Sequence, residues 1–137
     1  MRRDQLEHII RAAADVTGEH EFIIIGSQAI LGQYPNAPAP LLISREADLY
    51  PRHRPELSIE IEGSLGSGSR FDKTFTYHAD GVSPTTATLP EGWERRLTKI
   101  QNPNTKGATG WCIDVHDIAI AKYVAGREKD QRYNKEL

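Results

Sequence analysis

Four consecutive apolar residues, Phe22-Ile23-Ile24-Ile25, stop abruptly at Gly26-Ser27, and a short helical pattern follows. So short a run, rich in β-branched side chains and closed by glycine, reads as a buried strand rather than a helix. The turn behind it admits two readings. It is a plain strand-to-helix connection, or it exposes backbone N–H groups as a seat for phosphate. Ser27 is expected to cap the short helix, and "YPNAPAP" to terminate it.

Around this strand the other elements can be sketched. Leu6, Ile9, Ile10, Ala13 and Val16 share one face of an amphipathic helix over residues 3 to 17, with Gly18 as its stop. Residues 46 to 50 read as a second strand, limited by Pro51. The segment 57 to 62, "LSIEIE", fits a strand by alternation and a helix by the stripe Leu57, Ile61 and Leu65. "GSLGSGS" at 63 to 69 is expected to be a flexible loop, 71 to 79 a strand, and "WERRLTKIQ" another. Turn residues in "NPNTKGATG" lead to "WCIDV", after which Asp114 or His116 starts a helix through Ile118, Ala121, Lys122 and Ala125. Gly126 interrupts it, and a charged helix runs to the end. The pattern is α+β: a small mixed β-sheet with helices mainly on one face. With 137 residues and no visible linker, residues 1–137 are expected to form a single domain. "REKDQRYNKEL" has little apolar face, which suggests either a truncated chain or a terminal helix docked on a partner.

Composition excludes several classes. A formal net charge of -2 argues against a generally basic nucleic-acid coat, though not against a local basic patch. A lone cysteine, Cys112, rules out a disulfide framework and reads as a buried thiol. No apolar run approaches the ~18 residues of a membrane helix, and "MRRDQLEHII" lacks a secretory h-region. A cytoplasmic, bacterial-type protein is expected.

Four groups of residues could carry chemistry. Gly26 and Ser27 are the phosphate candidates. Glu46 and Asp48, at i and i+2 of a strand, point to one face, where two carboxylates repel unless a divalent cation such as Mg²⁺ or a partner such as Arg45 relieves them. Asp80, beside Gly81, is a turn-former or a third carboxylate for a two-metal site. Lys122, amid Ile118, Ala119, Ala121 and Ala125, either snorkels or neutralises triphosphate charge, while Arg127, Lys129 and Asp130 follow on the next helix. His116 and Asp117 read as helix-start residues and His78 as a strand residue; no Ser-His-Asp or Cys-His constellation is present.

The order of these features resembles the nucleotidyltransferase fold of the polymerase-beta superfamily. "ADGV", "LPEGWERRL" and "VHDIAIAKYVAGREKD" bring the resemblance close to the bacterial AbiEii and MenT-type toxin nucleotidyltransferases. The resemblance implies that Gly26 and Ser27 hold the β- and γ-phosphates of a nucleoside triphosphate. Glu46 and Asp48 would bind Mg²⁺, and Asp80 would face the metal or deprotonate the acceptor. Lys122 would offset triphosphate charge, Arg127 and Lys129 would join the nucleotide site, and Asp130 would orient these basic residues. It also implies nucleotidyl transfer to a tRNA or protein hydroxyl, with an antitoxin as a partner. Beside the expected lack of a C-terminal domain to grip a long acceptor, two features depart from the pattern: a proline-rich gap of 18 residues between Ser27 and Glu46, and Glu46 in place of the commoner aspartate. They motivate a second reading, a catalytically degenerate relative that binds nucleotide, RNA or a partner protein. A third reading is an interaction domain that docks through the helix from 127 onward.

Overall fold

The computed structural model describes all 137 residues. Helix α1 (Arg3–Thr17) buries Leu6, Ile9, Ile10 and Ala13 of the expected stripe completely, while Val16, in its last turn, is exposed. Gly18, at φ 74°, ends it by donating its N–H to the Ala14 carbonyl. The strands are β1 (Glu21–Ile25), β2 (Glu46–Pro51), β3 (His78–Gly81), β4 (Thr98–Ile100) and β5 (Thr109–Cys112). They form one mixed sheet in the order β3-β2-β1-β5-β4, so the expected central strand lies in the middle.

The pairing register assigns the two faces of the sheet. Ile24 lies opposite Leu49, and Ile25 opposite Asp48, across the antiparallel β1–β2 pair. Side chains alternate along a strand, so Phe22, Ile24, Ala47 and Leu49 share one face, and all four are fully buried. Helices α1 and α2 (Ser58–Leu65) pack over that face. Gly110 lets α1 settle close, since a Cβ there would stand 2.5 Å from Ile10 Cδ1 and 2.6 Å from Ile24 Cδ1. Glu46, Asp48 and Asp80 are left on the opposite face.

Several expectations need correction. The ambiguous 57–62 segment is helical, because Ile61 and Leu65, four residues apart, both enter the core. That helix runs to Leu65, so the expected loop at 63–69 shrinks to its last four residues. Residues 71–79 are not one strand. Helix α3 (Arg70–Phe75) begins where the Ser69 hydroxyl accepts the Asp72 N–H, and it stops at Thr76 in the left-handed region, φ 65°. Only then does β3 begin. Within "WERRLTKIQ", Trp93–Arg96 is a 3₁₀ turn and the strand is confined to β4. Ser27 does not cap a helix; it is the first residue of a 3₁₀ turn, Ser27–Leu31, with Gly26 ahead of it.

At the other end, Asp114 caps helix α4 (Val115–Ala125) by accepting the His116 N–H, and Gly126 closes it at φ 67°. Helix α5 (Glu128–Glu136) then folds back on α4. Within the chain this helix packs through one face. Its buried residues, Asp130 and Tyr133, both face the chain's own site. No helix is long and apolar enough to cross a membrane.

Candidate functional site

The parallel β2–β3 register sets Asp48 beside Asp80 and Glu46 beside His78 at the edge of the sheet. Ligand oxygens of Glu46, Asp48 and Asp80 all lie within 4.8 Å of one another. Neither Asp48 nor Asp80 has a cationic partner at ion-pair distance; Arg45 pairs with neither, and Glu46 meets only His78, Nε2 to Oε1 at 3.7 Å. Burial pushes the Asp48 carboxyl up to about 7, with Glu46 and Asp80 adding to the rise and Lys122 and Lys129 opposing it. Its Oδ1 is buried and accepts no hydrogen bond. Three converging carboxylates with an orphaned oxygen make a hard, all-oxygen donor set, which fits a divalent cation of the Mg²⁺ type.

A fourth carboxylate stands behind these. Glu62 on α2 accepts the Gly81 N–H at 3.0 Å. The neighbouring Asp80 carboxyl raises its pKa, as does partial burial. Sequence reasoning missed Glu62 because the segment's helical character was undecided; once helical, Glu62 follows the buried Ile61 toward β3.

The Gly-Ser turn faces this cluster. Gly26 adopts φ 75°, and a Cβ on it would lie 2.6 Å from Asp48 Oδ2. Both facts demand glycine: the left-handed conformation and the close approach of a carboxylate. Gln28 is buried and donates from Nε2 to Ser27 Oγ (2.9 Å) and to the Leu41 carbonyl (3.2 Å). Ser27 Oγ thus already accepts a hydrogen bond, which leaves its own proton free to be donated. Tyr133, the one aromatic residue of α5, donates its hydroxyl to the Ser27 carbonyl at 2.8 Å. That single aromatic in an otherwise polar helix was the available sign that α5 packs here.

Basic residues form the other wall. Asp130 is fully buried and accepts from Lys122 Nζ (3.2 Å) and from Arg127 Nε (2.6 Å). Burial opposes its ionisation, yet these two cations hold its carboxyl below the usual range. The Lys122 ammonium also lies 4.6 Å from the centroid of the Tyr133 ring. Lys122 therefore does not snorkel into water; it is clamped at the cleft.

The resulting cleft measures about 840 Å³. Glu46, Asp48, Asp80, Gly26, Ser27, Lys122, Arg127 and Lys129 all line it. Every residue singled out from the sequence reaches it except Asp130, which stands behind and holds two that do. Other polar residues belong to the framework. Asp117 is buried and bonded bidentately by Arg96, at 3.0 and 2.9 Å. Burial pushes the Cys112 thiol up to about 12, so it is inert as a nucleophile.

The α+β sheet thus brings a carboxylate cluster, a Gly-Ser turn and a clamped lysine to one cleft. The chain belongs to the family described as nucleotidyltransferase of unknown function (DUF6036), whose model matches residues 4–136. No curated protein and no solved structure matches it.

Proposed function

We propose that this chain transfers a nucleoside monophosphate from a nucleoside triphosphate to a hydroxyl of an RNA or protein acceptor, with Mg²⁺ as its metal. The observation that carries this reading is the cluster Glu46, Asp48 and Asp80, within 4.8 Å, whose two aspartates lack a cationic partner and which shares its cleft with a Gly-Ser turn and basic residues suited to phosphates. Glu46, Asp48 and Asp80 would hold the cation. When bound, it would neutralise charge on the phosphate oxygens and draw the acceptor oxygen toward the phosphorus.

The chain's own groups supply the rest. Gly26 lets phosphate oxygens approach the backbone, and the Ser27 hydroxyl, already accepting from Gln28, donates a hydrogen bond to one of them. Lys122 and Arg127, fixed by Asp130, offset the negative charge that passes to the leaving pyrophosphate. The acceptor oxygen bonds to the α-phosphorus as the bond to pyrophosphate breaks, and Asp80 takes the acceptor's proton. Catalysis then rests on positioning and charge neutralisation.

Support for a tRNA or protein hydroxyl as the acceptor, and for the role of toxin in a toxin–antitoxin pair, comes from the resemblance of residues 115–130 to the AbiEii and MenT-type enzymes. The test is thermal unfolding with each of the four nucleoside triphosphates, with and without Mg²⁺, for the wild type and Asp48→Asn. A ligand at ~100 times its dissociation constant adds roughly 2.7 kcal/mol, a shift of several degrees. The expected shift requires Mg²⁺ and disappears in the variant. Nucleotide binding indifferent to Mg²⁺, with no pyrophosphate released, would instead establish the degenerate reading.

A further inference from the structure

A second hollow, of about 170 Å³, opens off the cleft at Asp48. Its mouth shares Gly26, Asp48, Lys122 and Arg127 with the larger space. Deeper in, the walls turn apolar: Ile25 at the end of β1, Ile113 just past β5, Ile118 and Ala121 on α4, and Ala87 on the loop after β3. Glu46, Asp80, Lys129 and Arg132 line the cleft but not the slot. The charged residues of the slot are Asp48, Lys122 and Arg127, all shared with the cleft.

We propose that this slot takes the aromatic base of the nucleotide. The inference rests on the reading of the cleft as a triphosphate site, and it names where the uncharged part of that substrate goes. A nucleoside triphosphate has two unlike ends. The polyanionic tail matches the cleft, with its cations and carboxylate cluster. The flat ring gains by leaving water for apolar walls beside a few polar groups. An apolar cavity of about 150 Å³ accepts a benzene ring, so the slot seats one ring and leaves the sugar at the mouth. Ala121 and Ala125 keep it open, because neither carries more than a methyl group into it. The Thr88 hydroxyl, on an exposed loop residue, offers a hydrogen bond to the ring's edge.

The experiment compares tripolyphosphate with the four nucleoside triphosphates, each with Mg²⁺, by thermal unfolding and titration of the full chain. Tripolyphosphate reports on the phosphate site alone. The expected result is binding of tripolyphosphate and roughly tenfold tighter or better binding of at least one nucleotide. Ala121→Leu, which fills the slot, should reduce that nucleotide to the level of tripolyphosphate and leave tripolyphosphate unaffected. Should Ala121→Leu fail to fold, Thr88→Leu fills the slot from the exposed loop without touching the core. Nucleotides no tighter than tripolyphosphate, or an advantage that survives the filling, would overturn the base slot and leave the nucleotidyltransferase reading standing. Binding of neither ligand would overturn both.

Discussion

Asp48 and Asp130 are aspartates withdrawn from water beside the same cleft, in opposite surroundings. Asp130 is fully buried and satisfied: Lys122, Arg127 and the Arg127 backbone N–H all donate to it. Asp48 has one oxygen with no partner and two carboxylates for neighbours. Burial raises Asp48 to about 7, whereas the cations around Asp130 overcome its burial and lower it. A buried charge with its partners in place is scaffolding. One without them is a cost, which on the proposed reading a bound cation offsets.

Mutation should divide the two sharply. Asp48→Asn is expected to abolish nucleotidyl transfer, read as pyrophosphate release, while the domain stays folded. Normal transfer by that variant would remove Asp48 from the site. Asp130→Ala should act first on stability, costing about 3–5 kcal/mol by chemical denaturation, since it strands Lys122 at a largely buried position. Equal stability losses from both substitutions would erase the distinction.

The pH dependence carries the same contrast with a definite sign. In the metal-free protein the folded Asp48 carboxyl titrates near 7, above its unfolded value of 3.8, so the folded state holds its proton more tightly. The stability this provides is complete below pH 3.8 and is lost as pH rises through about 7. Asp48→Asn should therefore be more stable than the metal-free wild type at pH 8, by a few kcal/mol at most, and the gap should close toward pH 4. A gap that widens on acidification would contradict this account.

Gly26→Ala is expected to cost ~1–3 kcal/mol, from the left-handed backbone and the crowding of Asp48, and to impair nucleotide binding as well. Thermal unfolding and triphosphate titration would read the two effects separately. The smallest change is Tyr133→Phe. Losing its bond to the Ser27 carbonyl should cost about 0.5–1.5 kcal/mol and weaken triphosphate binding more than it lowers the unfolding midpoint. A pure stability loss would make Tyr133 a packing residue only.

Some of this could be read directly along the chain. The β1 strand, the α1 stripe and the pairing of Glu46 with Asp48 follow from periods of 2 and 3.6, which depend only on neighbours in sequence. The Gly26-Ser27 break and the order of motifs pointed to a nucleotidyltransferase, as the family match has it, though not to the AbiEii and MenT-type branch, and the residues they marked, Asp130 apart, line one cleft. Misreadings fell where a local signal was short or divided. Helix α3 has six residues and depends on one serine cap, and "LSIEIE" fitted both periods until the core received Ile61 and Leu65.

What lay beyond such reading is long-range. Asp80 joins Asp48 only because β3 pairs with β2 in that register, and Glu62 reaches Asp80 only because α2 packs across β3. Tyr133 finds Ser27 across 106 positions of sequence. The pKa of Asp48 is likewise a property of its surroundings, since desolvation and two neighbouring carboxylates set it. Periodicity, turn chemistry and the order of motifs therefore named the carboxylates, the turn and the basic residues that line the cleft. Their distances, their missing partners and the apolar slot beside them arise from packing, which brings together atoms that no local pattern relates.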